Sequence, residues 1–135
     1  NIKNNFADEV RITSGRNVEI IDEATIDLGA STVSGTYSVT ATTGGITDSG
    51  TQEIAGVTTL AAGSSNDITL DISTNNFAAA VVITSGRNVA ITDEDAIVLG
   101  AATVSGTYGI TAGGAVTDSG TQEIAGITTI SASGQ

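Results

Sequence analysis

Apolar and polar positions alternate along this chain in short runs. In Val10–Ile12, Asn17–Ile20 and Asp67–Leu70 every second residue is apolar, a pattern that is typical of half-buried β-strands. Segments rich in Gly, Ser, Asn and Thr, such as Thr13–Arg16 and Ala62–Asn66, separate the runs, and these residues favour turns. Because no longer stretch has the apolar spacing of a helix, the pattern predicts an all-β fold of many short strands.

The same pattern occurs twice. Asn4–Ala41 returns with substitutions as Asn75–Ala112, at an offset of 71 residues, and Thr47–Gly56 returns unchanged as Thr117–Gly126. Self-similarity at a fixed period indicates stacked units that bury one another's apolar faces. The sequence therefore predicts a single β-solenoid segment over residues 1–135 made of two long repeats, 1–71 and 72–135, which we expect to be an excerpt of a longer array.

The length of one coil follows from the small residues that close successive runs. These are Gly29, Gly56, Ala78, Gly100 and Gly126. They lie roughly 22 to 27 residues apart, which suits one coil of a parallel β-helix and predicts about three coils per 71-residue repeat. With about 4.8 Å between neighbouring strands, Ile12 and its counterpart Ile83 should lie one above the other, about 14 Å apart. A β-sandwich is the alternative, but it does not require copied halves.

Composition narrows the function. The chain has 15 acidic and 4 basic residues and a net charge of −11, which repels nucleic acid and anionic membrane surfaces. Aromatic residues make up 3%, and Cys, Met, His, Trp and Pro are absent. Catalysis would therefore depend on carboxylates and hydroxyls. We expect no nucleic-acid partner, no membrane insertion, no cofactor and no enzymatic activity.

Comparing the two repeats shows which polar residues each unit can lose. Four carboxylates of the first repeat are replaced in the second: Asp8 by Ala79, Glu9 by Ala80, Glu19 by Ala90 and Asp27 by Val98. The alternating apolar positions are retained, and they include Ile20 and Ile91. The sequence therefore predicts that Ile20 and Ile91 point inward and that Glu19 points outward.

Acidic residues that both repeats retain are candidate ligands. Asp22 and Glu23, repeated as Asp93 and Glu94, are candidate calcium ligands because paired carboxylates suit hard cations; the alternative is a solvated acidic turn. Asp48 and Glu53, repeated as Asp118 and Glu123, flank a Ser-Gly turn. There the structural interpretation is that the aspartate accepts hydrogen bonds from backbone amides.

Three other retained groups have both a functional and a structural interpretation. Arg16 and Arg87 lie in identical Ser-Gly-Arg-Asn corners, where arginine binds a sugar or carboxylate, or simply pairs with nearby acidic groups. Tyr37 and Tyr108 follow identical Ser-Gly-Thr segments and are either exposed platforms for sugars or buried filler. Amides at aligned corners can form hydrogen-bonded ladders along a stack, and the ladder candidates are Asn17, Asn88, Asn5 and Asn76.

Several strings carry a family resemblance that covers essentially the whole chain. Leu28–Gly35, Val57–Gly63 and Asn66–Leu70 followed by Asn75–Phe77 resemble the repeats of large exported bacterial adhesins of the filamentous haemagglutinin type. That resemblance implies a right-handed parallel β-helix, secretion across the outer membrane, and a role in adhesion, aggregation or biofilm. It also implies an extracellular location at the bacterial cell surface.

Taken together, these observations predict a non-enzymatic structural or adhesive β-solenoid, the shaft of a surface adhesin or fibre. Its expected partners are receptors or glycans of host or neighbouring cells, and a second copy stacked through open β-helix ends. Joining Gln135 directly to Asn1 would omit most of one strand, so we expect an excerpt rather than simple head-to-tail stacking.

Three other functions are alternatives. A polysaccharide-processing β-helix enzyme would need a unique site that breaks the repeat. The second alternative is a self-assembling extracellular filament subunit. Ice binding would need Thr-x-Thr on every coil, and Thr40–Thr42 is not retained at Thr111–Gly113.

Overall fold

The computed structural model describes residues 4–134, and all regular structure in that range is β. Alternation in the sequence becomes alternation in space, because successive side chains of a strand point to opposite faces. The sixteen strands are β1 (Val10–Gly15), β2 (Val18–Asp22), β3 (Ile26–Val33), β4 (Tyr37–Ala41), β5 (Ile46–Asp48), β6 (Gln52–Ile54), β7 (Thr58–Ala61), β8 (Ile68–Leu70), β9 (Asn76–Phe77), β10 (Val81–Gly86), β11 (Val89–Asp93), β12 (Ile97–Val104), β13 (Tyr108–Ala112), β14 (Val116–Asp118), β15 (Gln122–Ile124) and β16 (Thr128–Ala132).

The strands form two sheets in which every pairing is parallel. Sheet 1 contains β1, β3, β5, β6, β8, β9, β11, β13 and β16, and sheet 2 contains β2, β4, β7, β10, β12, β14 and β15. The chain therefore passes from one sheet to the other and back in each coil. Val10 pairs with Leu28 and Thr58 with Val81, so one coil takes between 18 and 23 residues. The prediction of an all-β parallel solenoid is confirmed, and the chain makes about six coils.

The two repeats lie on opposite sides of the solenoid, which corrects the predicted stacking of Ile12 above Ile83. Ile12 belongs to β1 in sheet 1, whereas Ile83 belongs to β10 in sheet 2. From β1 to β10 the chain crosses between the sheets seven times. One repeat is therefore three and a half coils rather than three, and the second repeat is turned by half a revolution about the axis.

The segment that contains β8 and β9 causes this half-turn. Elsewhere along the chain, a bent strand or a pair of short strands alternates with a straight strand. β3 is one of the bent strands, because its alternation of buried and exposed residues breaks at Leu28 and Gly29, which are both buried. The segment Asn66–Phe77 adds one further half-coil in sheet 1 before β10 begins in sheet 2. The spacing of residues in the sequence did not show whether a repeat contains a whole number of coils, because a half-coil and a full coil have the same alternation of apolar and polar residues.

The core is a column of aliphatic residues between the two sheets. Ile26, Leu28, Val39, Ile46 and Leu60 are completely buried, and their positions alternate with exposed or half-buried residues along each strand. Burying a side chain of this size stabilises the fold by about 1.5–3 kcal/mol relative to leaving it exposed. The predicted side-chain orientations are confirmed: Ile20 and Ile91 are buried, and Glu19 is exposed.

Glycine is required at the corners where successive coils approach most closely. The Gly56 amide donates to the Gly35 carbonyl of the preceding coil at 2.9 Å. A Cβ on Gly56 would lie only 2.3 Å from that carbonyl oxygen. Gly126 has the same relation to Gly106. Glycine is therefore retained at this corner in both repeats because no side chain fits between the coils.

Candidate functional site

The retained aspartates Asp22 and Asp93 lie at the corner after the straight strands β2 and β11. Asp93 is 2% exposed, and its two carboxylate oxygens accept hydrogen bonds from the amides of Phe77, at 3.1 Å, and Asp95, at 3.0 Å. Asp22 is fully buried and accepts from Phe6 at 3.3 Å and Ala24 at 3.4 Å. Each aspartate therefore joins its own corner to the backbone of the preceding coil, and neither is a solvated turn.

This geometry separates the members of each candidate calcium pair. The Asp93 carboxylate is buried, whereas its neighbour Glu94 is exposed. Burial raises the pKa of Asp93, while the hydrogen bonds from Asp95 and Phe77 lower it. Within residues 4–134 no cluster of three or more acidic, histidine or cysteine residues has the geometry to hold a metal ion. Calcium binding by Asp22, Glu23, Asp93 and Glu94 stays an untested hypothesis.

A second polar corner joins three coils where the first repeat meets the second. The Asn75 amide group donates to Asp48 Oδ2 at 2.7 Å, and its Oδ1 accepts from the Gln52 amide at 2.9 Å. Gln52 Nε2 donates in turn to the carbonyls of Gly29 and Gly50, both at 2.8 Å. Asn75 and Gln52 are fully buried, and burial raises the pKa of Asp48. Asp48 thus accepts hydrogen bonds at the bend, as expected, including one from the backbone amide of Asp71 at 3.2 Å.

Sequence reasoning missed Asn75 and Gln52. Their signal was present, since both occur in tracts that return in the other repeat, as Asn4 and Gln122. Gln122 repeats the bonds of Gln52: its Nε2 donates to the carbonyl of Gly100 in the coil below at 2.7 Å and to the carbonyl of Gly120 in its own coil at 3.0 Å. Asp118 is exposed, whereas Asp48 is half-buried, since β14 pairs only with β12. Glu123 is exposed, as is its counterpart Glu53.

The asparagine corners connect coils through threonine. Asn17 Oδ1 accepts from the backbone amide of Thr36 at 3.1 Å and from its hydroxyl at 3.3 Å. Asn88 makes the same pair of bonds with Thr107, at 3.0 and 3.2 Å. Of the other ladder candidates, Asn5 is exposed, and Asn76 is half-buried and pairs with Glu53 in the neighbouring strand. Asn17 and Asn88 thus connect neighbouring coils through threonine rather than through another amide, and a ladder of asparagines stays a prediction.

The retained arginines differ in their surroundings. Arg87 forms two hydrogen bonds with Asp67 of the coil below, from Nε at 2.8 Å and from Nη2 at 3.0 Å. This pairing raises the pKa of Arg87 and lowers that of Asp67. Arg16 is also exposed. For Arg87 the structural interpretation holds, because its guanidinium is engaged by a carboxylate of the same chain.

Both tyrosines are buried filler rather than exposed platforms. Tyr37 and Tyr108 are each 1% exposed. The Tyr37 hydroxyl lies 3.3 Å from the Ser31 hydroxyl, but Ser31 is replaced by Ala102 in the second repeat. The Tyr108 hydroxyl is consequently buried without a hydrogen-bond partner, and burial raises the pKa of Tyr108 to about 12. A stacking role for these rings in sugar binding is excluded.

A shallow groove of about 270 Å³ lies on the outer face of sheet 1. It follows the ends of β3, β6 and β9, and its lining includes Thr32, Glu53 and Asn76. Glu53 contributes its single carboxylate. Most glycoside hydrolases use a pair of carboxyl groups across the scissile bond, and Glu53 is the one carboxylate in the lining of this groove.

No helix in the described part of the chain is long and apolar enough to cross a membrane. Comparison with curated proteins and with solved structures gave no match. A family model described as repeats of unknown function (DUF5649) matches residues 15–84 and again residues 86–135. The second match begins 71 residues after the first, which agrees with the repeat that the sequence shows. The chain is therefore a member of this family of repeats, DUF5649.

Proposed function

We propose that this chain is a section of a non-enzymatic, extracellular β-solenoid that acts as the structural or adhesive shaft of a bacterial surface adhesin or fibre. One observation carries the proposal: several of the polar residues that both repeats retain form hydrogen bonds between neighbouring coils. Asp93, Asn88 and Gln122 all bond to neighbouring coils. A repeat whose retained chemistry is used for stacking is suited to length and stiffness.

The outer surface supports the same proposal. The carboxylates that differ between repeats, Asp8, Glu9, Glu19 and Asp27, are all exposed or half-buried. Their replacement by Ala or Val in the second repeat changes the surface without changing the coil. Because repeats alternate sides, a patch recurs on the opposite side after three and a half coils, about 17 Å along the axis. A spacer tolerates such variation, whereas a unique catalytic site does not.

The net charge of −11 fits an exposed shaft, because like charges keep neighbouring rods apart and soluble. The filamentous haemagglutinin resemblance supplies the expectation of an adhesive role. The contacts between coils support a rigid structural role, since each coil is bonded to the next through parallel strands and through corner side chains.

Immunogold labelling of intact cells of the source organism, with antibody raised against the folded chain, tests the location. We expect label on intact cells and its loss after brief protease treatment of the cell surface. Label that appears only after lysis would overturn the proposal. Incubation of the chain with acidic polysaccharides should release no new reducing or unsaturated ends; a release that Glu53→Gln abolishes would instead support the enzyme alternative.

A further inference from the structure

We propose that the groove on the outer face of sheet 1 binds the side chain of a lysine or arginine from a basic partner polypeptide. The groove follows the ends of β3, β6 and β9, and we call its lining residues Thr32, Glu53, Ala55, Asn76 and Ala78 the cation groove. The inference goes beyond the proposed shaft function, because it identifies a partner by its chemistry and holds wherever the protein is located.

Three polar side chains of the cation groove form one column on neighbouring strands. Thr32 pairs with Glu53, and Glu53 pairs with Asn76, so the three residues follow one another on the outer face at intervals of about 4.8 Å. None of these side chains forms a hydrogen bond or an ion pair with another residue of the range 4–134. The inward column beside them differs, because Gln52 and Asn75 both bond to neighbouring coils. The polar groups of the groove therefore remain available to a ligand.

The part of the lining that β3, β6 and the corner after β6 contribute returns in the second repeat. These residues are exposed in both repeats, and the pairs are Thr32 with Thr103, Glu53 with Glu123 and Ala55 with Ala125. Other outward carboxylates of the first repeat are replaced, as Glu19 is by Ala90. An exposed side chain that joins no coils has no role in stacking, so its return favours a role in binding.

Charge and shape decide which ligand suits the cation groove. Glu53 is the one charged residue in its lining, and the net charge of −11 attracts cations and repels anions. Ala55 and Ala78 add exposed methyl groups beside the carboxylate. A lysine or arginine side chain matches this surface, because its apolar stem covers apolar surface while its charged head stays in a polar environment. Glu53 accepts a charge-assisted hydrogen bond from that head, and the side-chain oxygens of Thr32 and Asn76 accept its other donors.

Two other occupants match the cation groove less well. A sugar ring stacks on an aromatic side chain, and the lining has no aromatic residue. A second copy of this chain offers few cations, since the sequence has 4 basic residues and two of them are paired within the chain, Arg11 with Glu9 and Arg87 with Asp67. Charge complementarity therefore favours a different polypeptide that is rich in lysine or arginine.

Titration of the isotope-labelled chain with a short peptide, followed by nuclear magnetic resonance, tests the site. The probe is an acetylated and amidated peptide of alternating alanine and lysine, and its control carries norleucine in place of lysine, which keeps the stem and removes the charge. We expect saturable amide shifts that are largest at residues 53–55 and 76–78, that weaken with added salt, and that the norleucine peptide does not produce. Largest shifts elsewhere, or equal shifts with both peptides, would overturn the proposal. Shifts at the groove that grow with protein concentration alone would assign it to a second copy instead.

Two substitutions at exposed positions locate the cation. Glu53→Gln should weaken binding of the lysine peptide about fivefold, the size of one partly exposed ion pair. Its matched control is Glu19→Gln, which removes the same charge from an exposed position in sheet 2 and should leave the affinity unchanged. Thr32→Lys places a cation beside Glu53 on the neighbouring strand and should abolish the shifts at residues 53–55, whereas Thr103→Lys on the opposite side should not. Equal weakening by Glu53→Gln and Glu19→Gln would show attraction by net charge alone and refute the inference.

Discussion

β7 and β16 have nearly the same sequence and opposite surroundings. Thr58, Leu60 and Ala62 are completely buried between two coils, whereas their counterparts in and beside β16 are all exposed. The residues are equally apolar, so their burial depends on whether a further coil covers them. The difference shows that each half-coil of this solenoid acquires its stability from its neighbour, which is how repeat proteins distribute stability.

The largest expected effect comes from removing the half-coil that sets the two repeats on opposite sides. Deleting residues 66–77 should let β10 take the place of β8 in sheet 1, so the second repeat lines up above the first. Spin labels at positions 11 and 82, on opposite sheets in the intact chain, should then lie on one side, about 14 Å apart. Double electron–electron resonance measures the change.

The internal control for that experiment is a label pair at positions 11 and 32, which are both in sheet 1 and precede the deletion. Their separation should not change. If labels at positions 11 and 82 keep their original separation in a folded deletion variant, the half-turn does not arise from Asn66–Phe77.

The next largest effect is a contrast between Leu60→Ala and Ile130→Ala. Leu60 is completely buried and Ile130 is 51% exposed. We expect the first change to cost about 2–5 kcal/mol of unfolding free energy, as for a buried leucine, and the second about 0.5 kcal/mol or less. Denaturant melts of the two variants provide the measurement. Equal losses would mean that coil-to-coil burial does not control stability.

Asp93→Ala and Asp22→Ala should also differ in their cost to the free energy of unfolding. That difference should be smaller than the one between Leu60→Ala and Ile130→Ala. Asp93→Ala leaves the buried amide of Phe77 without its acceptor and should cost about 1–3 kcal/mol. Asp22→Ala should cost less, because Phe6 is 40% exposed and water can replace the carboxylate. Thermal melts of the two variants decide the order, and a larger loss for Asp22→Ala would contradict it.

The pH dependence of Asp93 has a definite sign. Its folded pKa is raised above 3.8, so the folded state binds the proton more tightly than the unfolded state. The resulting stability is present below pH 3.8 and is lost as the pH rises through the raised pKa. Asp93→Asn should remove this contribution.

Excess chelator should leave the melting temperature unchanged, and a fall of many degrees would point instead to calcium at Asp22, Glu23, Asp93 and Glu94.

The smallest expected effect concerns the tyrosines. Ala102→Ser restores the hydroxyl that Ser31 offers to Tyr37 and should stabilise the second repeat by about 0.5–1.5 kcal/mol. Tyr108→Phe should be neutral or stabilising because it removes a buried hydroxyl that has no partner, whereas Tyr37→Phe should destabilise. Thermal melts of the three variants provide the test, and a loss of stability in Ala102→Ser would contradict it.

Alkaline titration sharpens the same contrast. Since the pKa of Tyr108 is raised to about 12, its contribution to stability is present below about pH 10, the usual tyrosine pKa, and is lost as the pH rises through about 12. Absorbance at 295 nm should show Tyr108 ionising only with unfolding. Its ionisation near pH 10 in the folded chain would show that the ring is accessible.

The sequence predicted which side chains are buried better than it predicted which residues they contact. Alternation identified Ile20 and Ile91 as buried and Glu19 as exposed, because strand geometry alone fixes which side chains share a face. The partners of Asp93 and Asn75 lie one coil away, at a separation that depends on how many residues each corner takes. For that reason the buried acceptor role of Asp93, and the contact between Asn75 and Gln52, could not be predicted from spacing.

The sequence by itself determined the strand pattern, the two repeats and the kind of fold, since these follow from local alternation and from copying. Only the tertiary structure decided that one repeat is seven half-coils and that the two repeats therefore lie on opposite sides of the solenoid. The physical reason is that a strand has two equivalent edges, and sequence alternation does not specify which strand, on which sheet, each edge meets.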